Sequence, residues 1–172
     1  MEQIEFLILK NLLHNEKYLR KALPFIKAEY FQDSNQKIVF EEISSFVGEY
    51  NELPTKEILT IEVEKRNDIN EESFKAVTHL IGCLDDSPVE FEWLVDTTEK
   101  WCRDRAIYLA LLDSIAIADG KDEKKNPEAI PSILSDALAV SFDNHIGHDY
   151  LQDYEERFKF YHQKESRIQF DL

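Results

Sequence analysis

A long stretch without a helix breaker constrains the fold of this sequence more than any other feature. Between Pro88 and Gly120 the chain contains no Gly and no Pro. Ser87 and Glu90 fit a capping box with proline at the first helical position, so the pattern predicts that a helix begins here. Such a helix has about 30 residues and a length of about 45 Å. A compact head formed by residues 1–86 is only about 25 Å across, so we expect the helix to project beyond it.

A second helix is predicted after the long one. The polar segment KDEKKNPE at 121–128 is typical of a turn, and Pro131 opens the next helix. The segment 131–142 has helical periodicity, and the residues on its inward face are Ile133, Leu134, Ala137, Leu138 and Ser141. A long helix, a turn and a returning helix form an antiparallel hairpin, which we assign to residues 87–143.

The residues before this hairpin predict a compact head of five short helices. Apolar residues recur at helical spacing over 2–13, 16–23, 35–50, 56–66 and 70–84. Ser34 and Asn70 are suited to cap the third and the fifth of these helices. With only 4 Gly and 5 Pro in 172 residues, the composition also favours helix. The predicted fold class is therefore all-α, with a five-helix head, a projecting helical hairpin and a separate C-terminal amphipathic linker helix.

The C-terminal helix has an apolar stripe of its own. Its members, spaced three, four and three apart on one face, are Leu151, Tyr154, Phe158 and Tyr161. We place this linker helix at 149–165, after a Gly-containing hinge at 144–148 and before a short tail at 166–172. The stripe packs either onto the head of its own chain or onto another subunit, and the hinge favours another subunit.

The long helix also carries more apolar residues than one buried stripe requires. They are Trp93, Leu94, Trp101, Tyr108, Leu109, Leu111, Leu112, Ile115 and Ile117. A hairpin from a second copy is the simplest way to cover the excess. Trp93 and Trp101 are eight residues apart and are expected on similar sides of the helix. Together with Tyr108, they are candidates either for packing within the hairpin or for an intersubunit contact.

The charge of the chain argues against direct binding to DNA. Its formal net charge is −15. A nucleic-acid surface needs a stripe of Lys and Arg that replaces phosphate counterions, and the basic loop KDEKK at 121–125 carries its own acids. An acidic surface suits solubility or a basic protein partner. No basic leader precedes an apolar run and no apolar run approaches about 18 residues, so we expect neither a signal peptide nor a membrane span.

Residue patterns for catalysis are weak throughout the sequence. His145, His148 and Asp149 could hold a metal in a helical hydrolase, but ordinary hinge histidines are the simpler interpretation, because no Cys or other close ligand completes the shell. A phosphate-binding loop of the form GxxxxGK[ST] is absent, since the four glycines lie at least 27 residues apart. Cys83 and Cys102 are predicted to be buried free thiols in a reducing compartment.

Two segments of the chain resemble a known family. DSPVEFEWLVDTTEKWCRDRA at 86–106 and AIPSILSDALAVSFDNHIGHDYLQDYEERF at 129–158 are similar to the N-terminal region of DnaB-type hexameric replicative helicases, especially those of T-even-type bacteriophages. The head is less similar. The tail RIQFDL resembles the segment that precedes the ATPase domain in such proteins.

The resemblance implies a structural role for this chain. In that family the head and hairpin form a collar of dimers on a hexameric motor ring, and primase and the helicase loader attach there. The linker helix docks on the ATPase domain of the neighbouring subunit, so Leu151, Tyr154, Phe158 and Tyr161 would be the docking face. The chain alone would have no cofactor and no enzymatic activity, while ATP and Mg would be bound by the motor of the parent helicase.

The resemblance also implies where the chain works. The parent ring would contact DNA, and this domain would not contact it directly. No membrane would be involved. The protein would be located in the cytoplasm of an infected bacterial host. A different interpretation remains open, in which the chain is a stand-alone helical adaptor that binds replication proteins in trans.

Overall fold

The structure, a computed structural model, describes residues 2–121 and 126–142. These residues form seven α-helices: α1 (Glu2–His14), α2 (Glu16–Ala22), α3 (Ser34–Tyr50), α4 (Lys56–Glu64), α5 (Glu71–Cys83), α6 (Phe91–Ala118) and α7 (Ile130–Leu138). Short 3-10 helices span Leu23–Phe25, Ala28–Tyr30 and Pro127–Ala129. No strand occurs in the described ranges. The predicted all-α class is confirmed.

Local capping explains most of the helix boundaries. The side chain of Asn70 accepts a hydrogen bond from the Ser73 amide, so the predicted cap of α5 is confirmed. The predicted cap at Ser34 is wrong, because Asp33 fills that position. One carboxylate oxygen of Asp33 accepts from both the Asn35 and the Gln36 amides, each at 2.9 Å. An ionised carboxylate is a stronger acceptor at a helix N-terminus than a hydroxyl.

The start of α6 also differs from the prediction. Ser87 does not cap the helix, which begins three residues after Pro88. The Lys10 ammonium instead donates to the Ser87 hydroxyl and, at 3.1 Å, to the Asp85 carboxylate. Glu90 is the actual N-cap, since its carboxylate accepts from two amides of the first turn. Residues 84–90 are therefore attached to α1 and are not free to start the helix earlier.

The end of α6 matches the predicted breaker. Gly120 has a φ of +69°, a left-handed conformation that side chains rarely adopt. Its amide donates to the Ile117 carbonyl at 3.0 Å, and the Lys121 amide donates to the Ala116 carbonyl at 2.9 Å. These two bonds form a Schellman motif, which satisfies carbonyls that the helix end would leave unpaired.

The core of the described residues is centred on α1. Ile8, Leu9 and Leu12 have no solvent exposure. Helices α2 and α3 pack directly on α1, α4 and α5 pack on α3 and on each other, and α6 packs on α2. The first half of α6 thus completes the core of the head, which explains why α6 buries residues that no hairpin partner covers.

Helix α7 is shorter than predicted. It ends at Leu138, and Leu138 itself is 63% exposed, so the expectation that Leu138 faces inward is wrong. The chain leaves the helix because Phe142 is buried and its ring stacks on Phe25 at a centroid distance of 4.7 Å. Lys21 donates to the Phe142 carbonyl at 3.0 Å.

The two thiols differ from one another. Cys102 is fully buried, as predicted, and burial raises the pKa of its thiol to about 12. Cys83 is exposed on the last turn of α5, so the prediction that it is buried is wrong. A helix position that faces outward needs no packing partner, and helical periodicity around Cys83 does not by itself tell which side is covered.

Several expectations concern residues outside the described ranges. The linker-helix stripe at 151–161, the hinge at 144–148 and the possible metal ligands His145, His148 and Asp149 all lie there. Among the residues that the structure does describe, no three His, Cys, Asp or Glu side chains are grouped as metal ligands. None of the helices in those ranges is both long enough and apolar enough to cross a bilayer.

Candidate self-association surface

Helix α6 changes its buried face along its length. In its first half the buried residues face the head: Leu94, Thr98, Trp101, Cys102 and Arg105. In its second half they face α7, and most of them are small: Ala106, Ala110, Ser114 and Ile117. Small side chains allow the two helix backbones of a hairpin to approach closely. One side of α6 is left uncovered by both the head and α7.

The uncovered side of α6 is a continuous row of residues, which we call the outer face. Its members, spaced three or four apart, are Trp93, Thr97, Lys100, Asp104, Tyr108, Leu111 and Ile115. At 3.6 residues per turn they fall within an arc of about 80°. Trp93, Tyr108 and Ile115 are 53%, 51% and 57% exposed, and Leu111 is 48% exposed. Four large side chains left about half exposed along one side of a helix mark a candidate interaction surface.

The two tryptophans have different environments, contrary to the expectation that they share a side. Eight residues turn the helix by about 80° beyond two full turns, so Trp101 points into the core while Trp93 stays exposed. Trp101 is 5% exposed. Its ring meets Tyr30 edge-on at 6.0 Å and Phe31 at 5.2 Å between centroids. Trp101 therefore packs within one copy and against the head, not inside the hairpin.

A groove runs beside the outer face, between α6 and the head. Its volume is about 870 Å³. The lining residues are Ile4, Phe31, Gln32, Thr97, Lys100, Trp101, Asp104, Arg105 and Tyr108. Because four of these residues belong to the outer face, the groove and the outer face form one continuous surface. The groove was not predicted, since Ile4 and Phe31 meet α6 only in the folded chain.

Buried charges hold one wall of the groove in place. Arg105 is mostly buried, and its Nε donates to the Tyr30 carbonyl at 2.7 Å. Its guanidinium carbon lies 5.0 Å from the centroid of the Tyr108 ring, a cation–π distance. The adjacent Glu5 carboxylate accepts from the Gln32 amide at 3.2 Å. Burial raises the pKa of Glu5, while the Gln32 hydrogen bond and the charge of Arg105 oppose that rise.

Two charges interrupt the apolar character of the outer face. Lys100 and Asp104 are exposed and lie near the middle of α6. Neither forms an ion pair with any other residue between 2 and 121 or between 126 and 142. They are one helical turn apart, but a Lys that precedes its acid pairs less favourably than the reverse order. Two unpaired opposite charges thus lie between Trp93 and the row that begins at Tyr108.

The predicted site residues are therefore only partly brought together. Trp93 and Tyr108 share the outer face, whereas Trp101 forms the floor of the groove next to it. Whether any of them contacts another subunit stays a prediction. The four linker residues Leu151, Tyr154, Phe158 and Tyr161 are outside the described part of the chain. Lys100 and Asp104 were missed, although Lys100 follows Trp93 by seven residues and Asp104 precedes Tyr108 by four, which is helical spacing on one face.

Comparison with known proteins finds a relative of this chain in sequence. No family model matches the chain. The chain is 36% identical over 174 aligned residues to a DnaB-like replicative helicase of Enterobacteria phage T4. The alignment covers 96% of this chain but 36% of that relative, so the chain spans about a third of the relative's length. The predicted resemblance to a DnaB-type phage replicative helicase is confirmed.

Proposed function

We propose that this chain, a relative of a DnaB-like phage replicative helicase, serves as the N-terminal region of such a helicase and helps to organise its ring. Its hairpin would pair with the hairpin of a second copy, and such dimers would build the collar of a hexamer. The observation that carries this proposal is the outer face of α6, on which Trp93, Tyr108, Leu111 and Ile115 remain about half exposed. A second copy that covers these side chains would remove their exposed apolar surface from water, which favours association.

The energy available from covering the outer face is moderate. Full burial of a large apolar side chain contributes about 1.5–3 kcal/mol, and half of each of these four is already buried, so covering them adds about 3–6 kcal/mol per copy. Association itself costs about 4–15 kcal/mol. Two isolated chains are therefore expected to pair weakly and reversibly. In a ring, the neighbouring subunits hold the hairpins at a high effective concentration, which strengthens the same contact.

The remaining parts of the proposal concern the parent helicase. The head would present a platform for primase and the helicase loader, and the acidic charge of the chain suits basic partners. The linker stripe at Leu151, Tyr154, Phe158 and Tyr161 would dock on the neighbouring motor domain. ATP and Mg would bind to that motor, and this region would contribute assembly and coupling, without a chemical step of its own.

The proposal is tested by the mass of the chain in solution as a function of concentration. We expect a monomer–dimer equilibrium by light scattering, which Leu111→Asp shifts to monomer without lowering the Tm. The matched control is Ile61→Asp on α4, because Ile61 is similarly exposed, at 53% against 48% for Leu111, but lies on the head.

Two results would contradict the proposal. Unchanged dimerisation of Leu111→Asp would exclude the outer face as the pairing surface. A chain that stays monomeric at every concentration, and binds an intact helicase in trans, would favour the stand-alone adaptor.

A further inference from the structure

We infer that His79 and Cys83 form a two-ligand site on α5 for a thiophilic divalent ion such as Zn²⁺. One imidazole nitrogen and the Cys83 sulfur would supply two of the four tetrahedral positions, and water would fill the other two. Cys83 binds as the thiolate, so its proton is released to solvent when the ion binds. The inference is independent of the proposed self-association, because both residues lie on α5 of the head and not on the hairpin.

The two side chains are neighbours on the solvent side of α5. Residues four apart share one face of a helix. The buried face of α5, which includes Val77 and Ile81, packs against α3 and α4. His79 and Cys83 are both exposed on the opposite side. Ligands at positions i and i+4 of a helix are a recurrent arrangement for zinc, so an ion can reach both donors from solvent while the helix stays intact.

The distance between the donor atoms fits a shared ion. Cys83 Sγ lies 3.8 Å from Nδ1 and 3.9 Å from Nε2 of His79. Zinc with bonds of about 2.3 Å to sulfur and about 2.0–2.1 Å to nitrogen, at a tetrahedral angle, holds these two atoms about 3.5–3.6 Å apart. The donors therefore need to approach by only a few tenths of an ångström. Because the sulfur is nearly equidistant from both nitrogens, the exposed ring also turns about its Cβ–Cγ bond to aim one lone pair at the ion.

Neighbouring helices hold the end of α5 that carries Cys83. The Lys56 ammonium on α4 donates to the Gly82 carbonyl at 3.0 Å. Nε2 of His14 on α1 donates to the Leu84 carbonyl at 3.1 Å. Cys83 therefore lies between two residues that are attached to other elements. Ligands on an anchored helix lose less conformational freedom when the ion binds, which favours binding.

The charge and the donor atoms of this site favour a soft cation. The C-terminal end of a helix carries partial negative charge, which attracts a cation to the last turn of α5. Lys75, one turn before His79 on the same face, is paired with Glu71 at 2.6 Å, so its charge is offset. Sulfur and imidazole are donors that Zn²⁺ prefers, whereas Mg²⁺ and Ca²⁺ take oxygen ligands. We therefore expect the site to bind Zn²⁺ and Co²⁺ and to reject Mg²⁺.

Cobalt binding to the whole, reduced chain tests the site. A thiolate ligand gives Co²⁺ a charge-transfer absorption in the near ultraviolet. The chain has two cysteines, and Cys102 is fully buried, so this absorption reports on Cys83. We expect it to saturate at one Co²⁺ per chain, to disappear in Cys83→Ser, and to need at least tenfold more Co²⁺ in His79→Ala. Zn²⁺ should displace the cobalt, and Mg²⁺ at the same concentration should not.

Lys75→Ala is the matched control for this titration. It changes the same exposed face of α5 without removing a donor atom, so its affinity for Co²⁺ should stay within about twofold of the native value. Lys75, His79 and Cys83 are all exposed, so each variant should keep the native Tm when no metal is added. Loss of the absorption in a folded variant then reports the loss of a ligand.

Protection of the thiol gives an independent measurement. A thiolate that is bound to metal is no longer free to attack a disulfide reagent. Saturating Zn²⁺ should therefore slow the reaction of Cys83 with an aromatic disulfide at least tenfold in the native chain and less than about twofold in His79→Ala.

Three results would overturn the inference. Absence of the charge-transfer absorption would show that no thiolate binds the ion. An absorption that His79→Ala leaves unchanged, in strength and in affinity, would show that the imidazole is not a ligand. Saturation at half an ion per chain would place the ion between two copies. None of these results affects the outer face of α6, which is tested separately by Leu111→Asp.

Discussion

The hydroxyl of Tyr18 on α2 lies 2.7 Å from the hydroxyl of Thr98 on α6, and both side chains are fully buried. The Thr98 hydroxyl donates to the Leu94 carbonyl at 2.7 Å, so the Tyr18 hydroxyl is the donor of the pair. This contact joins residues that are 80 positions apart in sequence. It attaches the first half of the long helix to the head, so the direction in which α6 leaves the head is determined inside the core.

Tyr18→Phe tests this attachment. The substitution removes the Tyr18–Thr98 hydrogen bond, while Thr98 still donates to the Leu94 carbonyl. Loss of this one buried hydrogen bond is expected to lower the free energy of unfolding by about 1 kcal/mol. Burial raises the pKa of Tyr18 above its usual value. The contribution of the neutral phenol to stability is therefore complete below about pH 10 and is lost as the pH rises further. Urea unfolding at pH 7 and at pH 10.5 should show a smaller alkaline loss for Tyr18→Phe than for the native chain.

The two thiols should react at very different rates. Cys83 is exposed, whereas Cys102 has no exposure and a pKa raised to about 12 by burial. Only the thiolate reacts with disulfide reagents, so the native chain at pH 8 should release one equivalent of thionitrobenzoate quickly and a second only after unfolding. Cys83→Ser should abolish the fast phase. Two fast equivalents in the native chain would contradict the burial of Cys102.

The Glu5 carboxyl should make stability depend on pH in the acid range. Burial raises its pKa from the ordinary value, so the folded chain binds its proton more tightly than the unfolded chain does. The stabilisation from this proton is complete below about pH 4.3 and is lost as the pH rises through the folded-state pKa. Relative to Glu5→Gln, which cannot ionise, the native chain should gain stability between pH 7 and pH 4.5. Thermal unfolding of both proteins at these two pH values measures the difference.

The predicted docking face of the linker helix needs the full-length protein for its test. Phe158→Ala combined with Tyr161→Ala should weaken hexamer formation, because two large apolar contacts are removed from each proposed subunit junction. The Tm of the 172-residue chain should stay nearly unchanged. An equal loss of Tm would instead place these side chains in the core of their own chain. Glu155→Ala with Glu156→Ala is a suitable control, since these two residues lie in the same segment but outside the predicted apolar stripe.

For residues 2–121 and 126–142 the sequence was sufficient to predict which segments form α-helices, because helical periodicity and local breakers are properties of neighbouring residues. Asn70 caps α5 and Gly120 ends α6 as predicted, since each acts on amides or carbonyls within a few positions. The predictions for Ser34 and Ser87 were wrong, because a neighbouring carboxylate and the distant Lys10 compete for those positions. The all-α class and the resemblance to a replicative helicase needed no coordinates, since they depend on local pattern and on sequence likeness.

Only the tertiary structure decided which side of each helix is covered. Trp93 and Trp101 have the same chemistry, but Tyr30 and Phe31 of the head cover only Trp101. Leu138 and Cys83 occupy ordinary helical positions and are nevertheless exposed. The groove beside α6 exists because Ile4 and Phe31 approach Trp101 from positions far away in the sequence. Periodicity shows which residues share a side of a helix, but burial depends on what packs there, and that is settled by contacts between distant segments.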